Sequence, residues 1–417
     1  MLDKRWRRRL ALACIFLVPT LAGAADVVPL TLDDALEAAR QQSPSAASAR
    51  ASVDVATGEL RSARRIVSAN PEVLVAASPS RVPTIAELEI TQQIGVTGQR
   101  FARAAASRSD LEAARDDARD VGRLLDIDVA EAFFVALAWE ERVVLAEEDA
   151  ALSRELLAIA ATRGDRGADA PLAYELARIR SAEAERGRID AQAERRASAV
   201  WLAAVIGQDP AIPVDPVGDL ATTAAMPTLA ALVASALEHR PDVARLQHEV
   251  DAARARRQLA LTSSFPDLTI GARYEADYYD APVWVALVGI SPPLFDQNNG
   301  GRSSARAAEV RAESELEGLL LLVNAEIRSA WERWDAARQS VAVYDAEVLA
   351  AHDESLRMLT KAYEAGKLDF SEVAIGRRER LESRLAYIDA RLDLAVADAE
   401  LRAAASLPIR STTGGSR

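Results

Sequence analysis

The residues of this chain that could do chemistry are few in kind. It has three histidines, one cysteine and 63 Asp/Glu in 417 residues. His239, His248 and His352 stand alone, with no second His or Cys at ligand spacing, so neither a catalytic metal centre nor a tight metal store is expected. No Gly-rich phosphate loop, nucleophile elbow or acid–base cluster stands out. The chain is therefore not expected to be an enzyme, and it calls for no cofactor. Its remaining chemistry is electrostatic and acidic, with a formal charge of −13.

The N-terminus sets the compartment. Lys4, Arg5 and Arg7 to Arg9 precede an apolar run from Leu10 to Leu21, and Ala22-Gly23-Ala24 supplies small residues for cleavage. This is the pattern of a secretory signal over residues 1–24, so the mature chain is expected to start near Ala25. Cys14 is a poor lipid acceptor, because Ala11 stands where a bulky apolar residue is expected. Cleavage discards that cysteine and leaves no disulfide chemistry. It also removes five Lys/Arg and one Asp, taking the charge to −17. No basic patch with interleaved aromatics is present, so nucleic acid is not an expected partner. Two readings of the acidity stay open, a solvated helical surface and an acidic lumen that favours cations.

The elements that carry these charges are written twice. Leu32 to Pro44 matches Leu229 to Pro241 at a constant interval of 197 residues, and Val53-Asp54 falls on Val250-Asp251. A period this long is one large unit duplicated. Ala, Leu, Glu and Arg dominate proline-free stretches from Arg100 to Thr162 and from Ser303 to Tyr363. Each is read as one helix reaching on the order of 90 Å. Spacings of four and three, as in Leu316, Leu320, Val323, Ile327, Ala330 and Trp334, predict a coiled-coil seam, in which Trp139, Trp331 and Trp334 pack. Shorter helices are expected before them, Thr31 to Ser68 and Thr228 to Ser263, and after them, Pro171 to Ile206 and Asp369 to Ser406. Thr31 and Asp34 form a capping box, and Pro171 suits a first helical turn. Short turns, residues 163–167 and 365–368, make one hairpin tip per half.

Between the leading and long helices the period changes to two. Ala86 to Gln92 and Leu268 to Glu275 alternate strictly, with partners in Val73 to Ser78 and Val283 to Ile290. Pro79 and Pro83 bracket one turn, and Tyr278 to Pro282 fill the other. One strand pair is thus expected in each half, at about 72–94 and 267–292. A lone pair is unstable, and an open sheet edge cannot sit in lipid. Several chains must therefore combine their strands into one membrane barrel. Alternating faces suit an outer-membrane barrel, and Tyr274, Tyr278, Tyr279 and Trp284 could form an interfacial aromatic belt.

These features together resemble the outer membrane factor family, the TolC-like channels of tripartite efflux and secretion systems. The likeness covers Thr31 to Pro408. It implies a mainly α fold with a small membrane β part, a duplicated α-helical barrel plus a transmembrane β-barrel shared across a trimer. The repeats would span residues 25–215 and 225–408, with a disordered tail at 409–417. Two junctions resemble the cobalt-zinc-cadmium efflux branch: Gly98-Gln99-Arg100, and Pro293-Leu294-Phe295-Asp296-Gln297-Asn298-Asn299-Gly300, where Gln297 replaces the branch's Arg. Prolines there end strands, glycines permit tight turns, and Asn or Asp can cap the next helix.

The resemblance further implies an outer-membrane homotrimer in contact with lipid and extending into the periplasm of a Gram-negative bacterium. A periplasmic adaptor and an inner-membrane pump of the resistance-nodulation-division type would be its partners, and heavy-metal cations its cargo. The alternatives are a channel for drug efflux or type I protein secretion and, from another class, a periplasmic coiled-coil adaptor. Gly366 matches the family's tip glycine, with Gly167 its first-half counterpart; Pro171, Lys367 and Asp369 complete the adaptor-facing tips. Glu372 falls where the first aperture carboxylate is expected, while Ile375 takes the place of the second. Glu87 and Glu89 are lumen candidates by alternation. Rings of such carboxylates would attract cations and repel anions.

Overall fold

The computed structural model describes residues 29–67, 70–77, 86–165, 171–220, 225–276, 281–292, 294–295, 297–344 and 346–409. The signal segment with Cys14, the tail beyond 409, and Gly167, Pro79, Pro83, Tyr278, Tyr279, Pro293 and Asp296 lie outside them.

The first repeat starts with β1 (Pro29–Leu30), α1 (Leu32–Gln42) and α2 (Pro44–Ala63). The Thr31 hydroxyl accepts the Asp34 N–H at 3.2 Å, and the Asp34 side chain accepts in return, so the capping box forms. The leading helix expected to be continuous is two helices, because Pro44 has no N–H to continue α1 and can only open α2. β2 (Glu72–Ala77), β3 (Ala86–Ile94), α3 (Gln99–Asp165), α4 (Pro171–Val205) and β4 (Asp215–Pro216) follow. The second repeat retraces the order with α5 (Leu229–His239), α6 (Pro241–Thr262), β5 (Leu268–Ala276), β6 (Val283–Ile290), α7 (Asn299–Val343), α8 (Ala346–Glu364) and α9 (Phe370–Ala404). Pro241 splits the leading helix here as Pro44 does in the first half. The starts Leu32/Leu229, Pro44/Pro241 and Ala86/Val283 keep the 197-residue interval.

The long helices differ. α3 is continuous over 67 residues, roughly 100 Å. The expected counterpart through Tyr363 is interrupted: α7 ends at Val343, and Tyr344 leaves the helical region at φ −94°, ψ 62°. Neither Pro nor Gly marks the break. Tyr344 instead packs its ring 6.3 Å from that of Tyr387 on α9, a tertiary contact with no local signature.

α3 is the spine, packed along its length by α2, α4, α6 and α9. Around its middle, Phe133 and Phe134 meet Leu32 and Leu36 of α1, Leu202 of α4 and Ile388 of α9. A second cluster, with Leu232, Val243, Val323, Ile327 and Leu401, joins α5, α6, α7 and α9. A third, with Leu156, Tyr363, Phe370 and Val373, sits at the turn end. Trp331 and Trp334 pack against the second cluster with rings 5.2 Å apart, in line with a structural role. Fully buried alanines such as Ala130, Ala138 and Ala160 let neighbouring helices approach closely.

Where α4 ends, Gly207 adopts φ +81°, and its N–H and that of Gln208 close the last turn on Ala204 and Ala203. A Cβ there would lie 2.7–2.8 Å from the backbone of Gln42 and Ser43, at the α1–α2 joint. Backbone cannot rotate away as a side chain can. Gly207→Ala should therefore destabilise by about 2 kcal/mol or more, above the usual cost of a left-handed alanine, as read from the chemical denaturation midpoint.

The four long strands form one antiparallel sheet in the order β2-β3-β5-β6. The two expected hairpins are present, and β3 pairs with β5 to fuse them across the repeats. β1 and β4 make a separate parallel bridge.

Candidate functional site

Residues paired directly across strands share a face, so the register sorts the sheet into two surfaces. On one lie Val73, Val75, Leu88, Ile90, Ile270, Ala272, Tyr274, Trp284, Ala286, Val288 and Ile290. On the other lie Glu72, Glu87, Glu89, Thr91, Thr269, Arg273 and Glu275. β6 departs from strict alternation, since Val283, Val285 and Leu287 fall on the polar side. Tyr274 and Trp284, opposite each other, hold their rings 5.0 Å apart on the apolar face.

Glu87 and Glu89 are brought together on the polar face, but not as free carboxylates. Arg273, from the other repeat, reaches both. Its Nε lies 2.8 Å from Glu87 Oε1, and its Nη2 donates to Glu89 Oε2 at 2.8 Å. Glu275 stands directly opposite Glu87. The two glutamates were legible from alternation; Arg273 was not, because it lies 184 residues away from Glu89.

At the strand-to-helix junctions, Gly98 takes φ +83°, and its carbonyl accepts the N–H groups of Phe101 and Ala102. The Arg100 guanidinium lies over the Phe101 ring at 4.7 Å. The second junction corrects the expected cap. Asn298 sits before α7 in the left-handed region, yet makes no side-chain cap. Its amide instead donates to the Ala260 carbonyl at 3.0 Å, tying the junction back to α6. Gly300 lies in the first turn of α7 with open space about it, while Gly301 is crowded, since a Cβ there would meet the Asn298 side chain at 2.2 Å. Phe295 and Leu294 are exposed in the single chain. Thr97 donates to the Thr262 carbonyl and Gln99 to Asp267, lacing the first junction to the α6–β5 connection.

At the opposite end, Gly366 adopts φ +73° after α8. Its N–H bonds Tyr363 O and the Lys367 N–H bonds Ala362 O, both at 2.9 Å, which is the Schellman closure of a helix end. Lys367 and Asp369 are exposed, and Asp369 precedes α9 without a side-chain cap. Glu372 projects from the first turn of α9 and is exposed, as is Ile375. Pro171 opens α4, as its missing N–H allows.

Arg163 joins the two tips. Its Nη1 donates to the Tyr363 carbonyl, its guanidinium lies 4.5 Å from the Tyr363 ring, and it would be the nearest neighbour of a Cβ at Gly366. Tyr363 is fully buried and meets Phe370 edge-on at 5.9 Å. Two turns further along α9, Arg377 Nη1 donates to both Asp149 oxygens at 2.8 and 2.7 Å and to Ser153. Burial pushes the Asp149 carboxyl up from its ordinary value despite that partner. Sequence periodicity carried no sign of either arginine, whose partners lie 200 and 228 residues away.

Among the described residues, no helix is long and apolar enough to cross a membrane, and no three His, Cys, Asp or Glu are grouped to hold a metal ion. The described residues thus form a long helical body carrying one four-stranded sheet with an apolar face.

That architecture has close counterparts. The chain superposes on the outer membrane protein VceC of Vibrio cholerae with a TM-score of 0.76, at 20% identity, covering 91% of this chain and 97% of that one. On CusC, solved in work on transmembrane channel formation, the TM-score is 0.76 at 19% identity, covering 91% and 92%. Residues 232–406 match the model of the outer membrane efflux protein family. The chain is also 27% identical, over 86% of its own length and 86% of the relative, to the cobalt-zinc-cadmium resistance protein CzcC of Cupriavidus metallidurans. The fold is that of the outer-membrane channels, a long helical body carrying a small sheet.

Proposed function

We propose that this protein is a member of the outer membrane efflux family and the passive outer-membrane conduit of a tripartite system that exports heavy-metal cations. An inner-membrane pump of the resistance-nodulation-division type supplies the energy, and a periplasmic adaptor meets the tips formed by Gly167, Pro171, Gly366, Lys367 and Asp369. The likeness to CzcC along nearly the whole of both chains is the observation that carries the cargo. A homotrimer is supported by the sheet itself: four strands with one apolar face and two open edges cannot rest in lipid, whereas three such sheets close on one another. The apolar face then meets lipid and the Glu87–Glu89–Arg273 face lines the lumen. Residues 1–24 direct export, and the repeats 25–215 and 225–408 contribute equally to barrel and helical conduit. Glu372 adds a carboxylate per protomer at the periplasmic aperture.

Deleting the gene should sensitise cells to zinc, cobalt or cadmium, with the wild-type gene restoring growth. Unchanged metal tolerance with impaired drug tolerance or protein export would leave the channel and remove the cargo.

A further inference from the structure

The polar sheet face holds a charge arrangement that a simple acidic lumen does not require. Glu87, Glu89 and Glu275 fall on adjacent strands within one cross-strand neighbourhood, Glu275 directly opposite Glu87. Like charges so placed repel. Carboxylates are also the hard oxygen donors that a divalent cation seeks, although these three as they stand are not grouped to hold one. Arg273 sits among them, its Nε 2.8 Å from Glu87 and its Nη2 2.8 Å from Glu89. The guanidinium engages both of these β3 carboxylates, and it keeps its charge at any working pH.

We propose that Arg273 is a resident counter-cation that stops this band from retaining divalent metal. Conduction needs binding strong enough to draw an ion in and weak enough to release it. With one arginine against three glutamates per protomer, the band stays cation-attracting. The two carboxylates best placed to chelate are already engaged. Arg273 is thus a specificity-determining residue of the conduit, and the inference rests on the reading that this face lines the lumen.

The test is zinc block of the full-length channel, purified in detergent and inserted into planar bilayers in potassium chloride. Arg273→Gln should conduct but be half-blocked at a zinc chloride concentration about tenfold or more below wild type, since affinity for a divalent ion follows the carboxylate charge left free to bind it. Arg273→Lys, a point charge that cannot span both glutamates, should fall between the two. Arg273→Gln combined with Glu89→Gln should return toward wild type. If Arg273→Gln fails to assemble, Arg273→Lys decides: block at the wild-type zinc concentration overturns the proposal. Equal sensitivity of wild type and an assembled Arg273→Gln overturns it as well, while leaving the conduit intact. A wild-type protein that gives no conductance overturns the lumen reading itself.

Discussion

Arg240→Met is expected to cost about 3–5 kcal/mol of stability, the penalty of breaking a buried ion pair by removing one partner. Arg240 is nearly inaccessible and sits at the α5–α6 joint, where Pro241 has interrupted the helix. Its Nε and Nη2 engage both oxygens of Asp242 at 3.0 and 2.7 Å, and its Nη1 reaches Glu326 on α7 at 2.9 Å and the Ala404 carbonyl of α9 at 3.2 Å. One side chain thus joins four helices of the second repeat. Methionine fills the volume and strands Asp242 as a buried charge.

The pH dependence gives the mechanism a second readout. Burial pushes the Asp242 carboxyl up, but the Arg240 bonds and charge, with Arg123 and the Val243 N–H, outweigh it and hold the group below its ordinary value. A carboxyl with a lowered folded pKa contributes stability above its unfolded pKa and loses it as pH falls through the folded one. In Arg240→Met, burial dominates and the sign reverses, so the deficit should shrink on acidification. Guanidinium midpoints of the detergent-solubilised protein at neutral and acidic pH measure both effects. A deficit under about 0.5 kcal/mol, the range of an ordinary surface change, would sink the argument. Asp242→Leu in the Arg240→Met background should recover much of the loss.

Gly366→Pro should be nearly as damaging but confined to one hairpin tip, with a local cost of about 3 kcal/mol or more. Proline cannot reach φ +73°, and it deletes the N–H that closes α8 on Tyr363. The displaced turn also loses its seat beside Arg163, whose donation to the Tyr363 carbonyl ties the second tip to the first. Limited trypsin digestion reads this directly: cleavage at Lys361 and Lys367 should accelerate sharply, while the helical body stays protected. If the tip also docks the adaptor, the variant should assemble and yet fail to restore metal tolerance to a deletion strain. Wild-type cleavage rates would show that the left-handed glycine contributes little.

Much of this architecture is legible without coordinates because its causes are local. Thr31 and Asp34 announce their capping box three residues apart, Pro171 can stand only at a helix start, and strict alternation over Ala86 to Gln92 marks a strand with two unlike faces. The 197-residue repeat converts each such reading into two. Even the split leading helices had a local sign, since Pro44 and Pro241 were in plain view; the apolar periodicity running through them masked it.

The sequence by itself therefore determined a duplicated helix–strand pair–helix plan and an acidic chain. Short-range propensity, capping and periodicity are enough to specify those. Only the tertiary structure decided that β3 joins β5, that α7 stops at Tyr344 against Tyr387, and that Arg273, Arg163 and Arg377 find partners roughly two hundred residues away. A long arginine on a regular helix or strand looks the same whether it faces water or a buried carboxylate. What distinguishes the two is which other element packs there, and that is fixed by the whole chain burying its apolar faces at once.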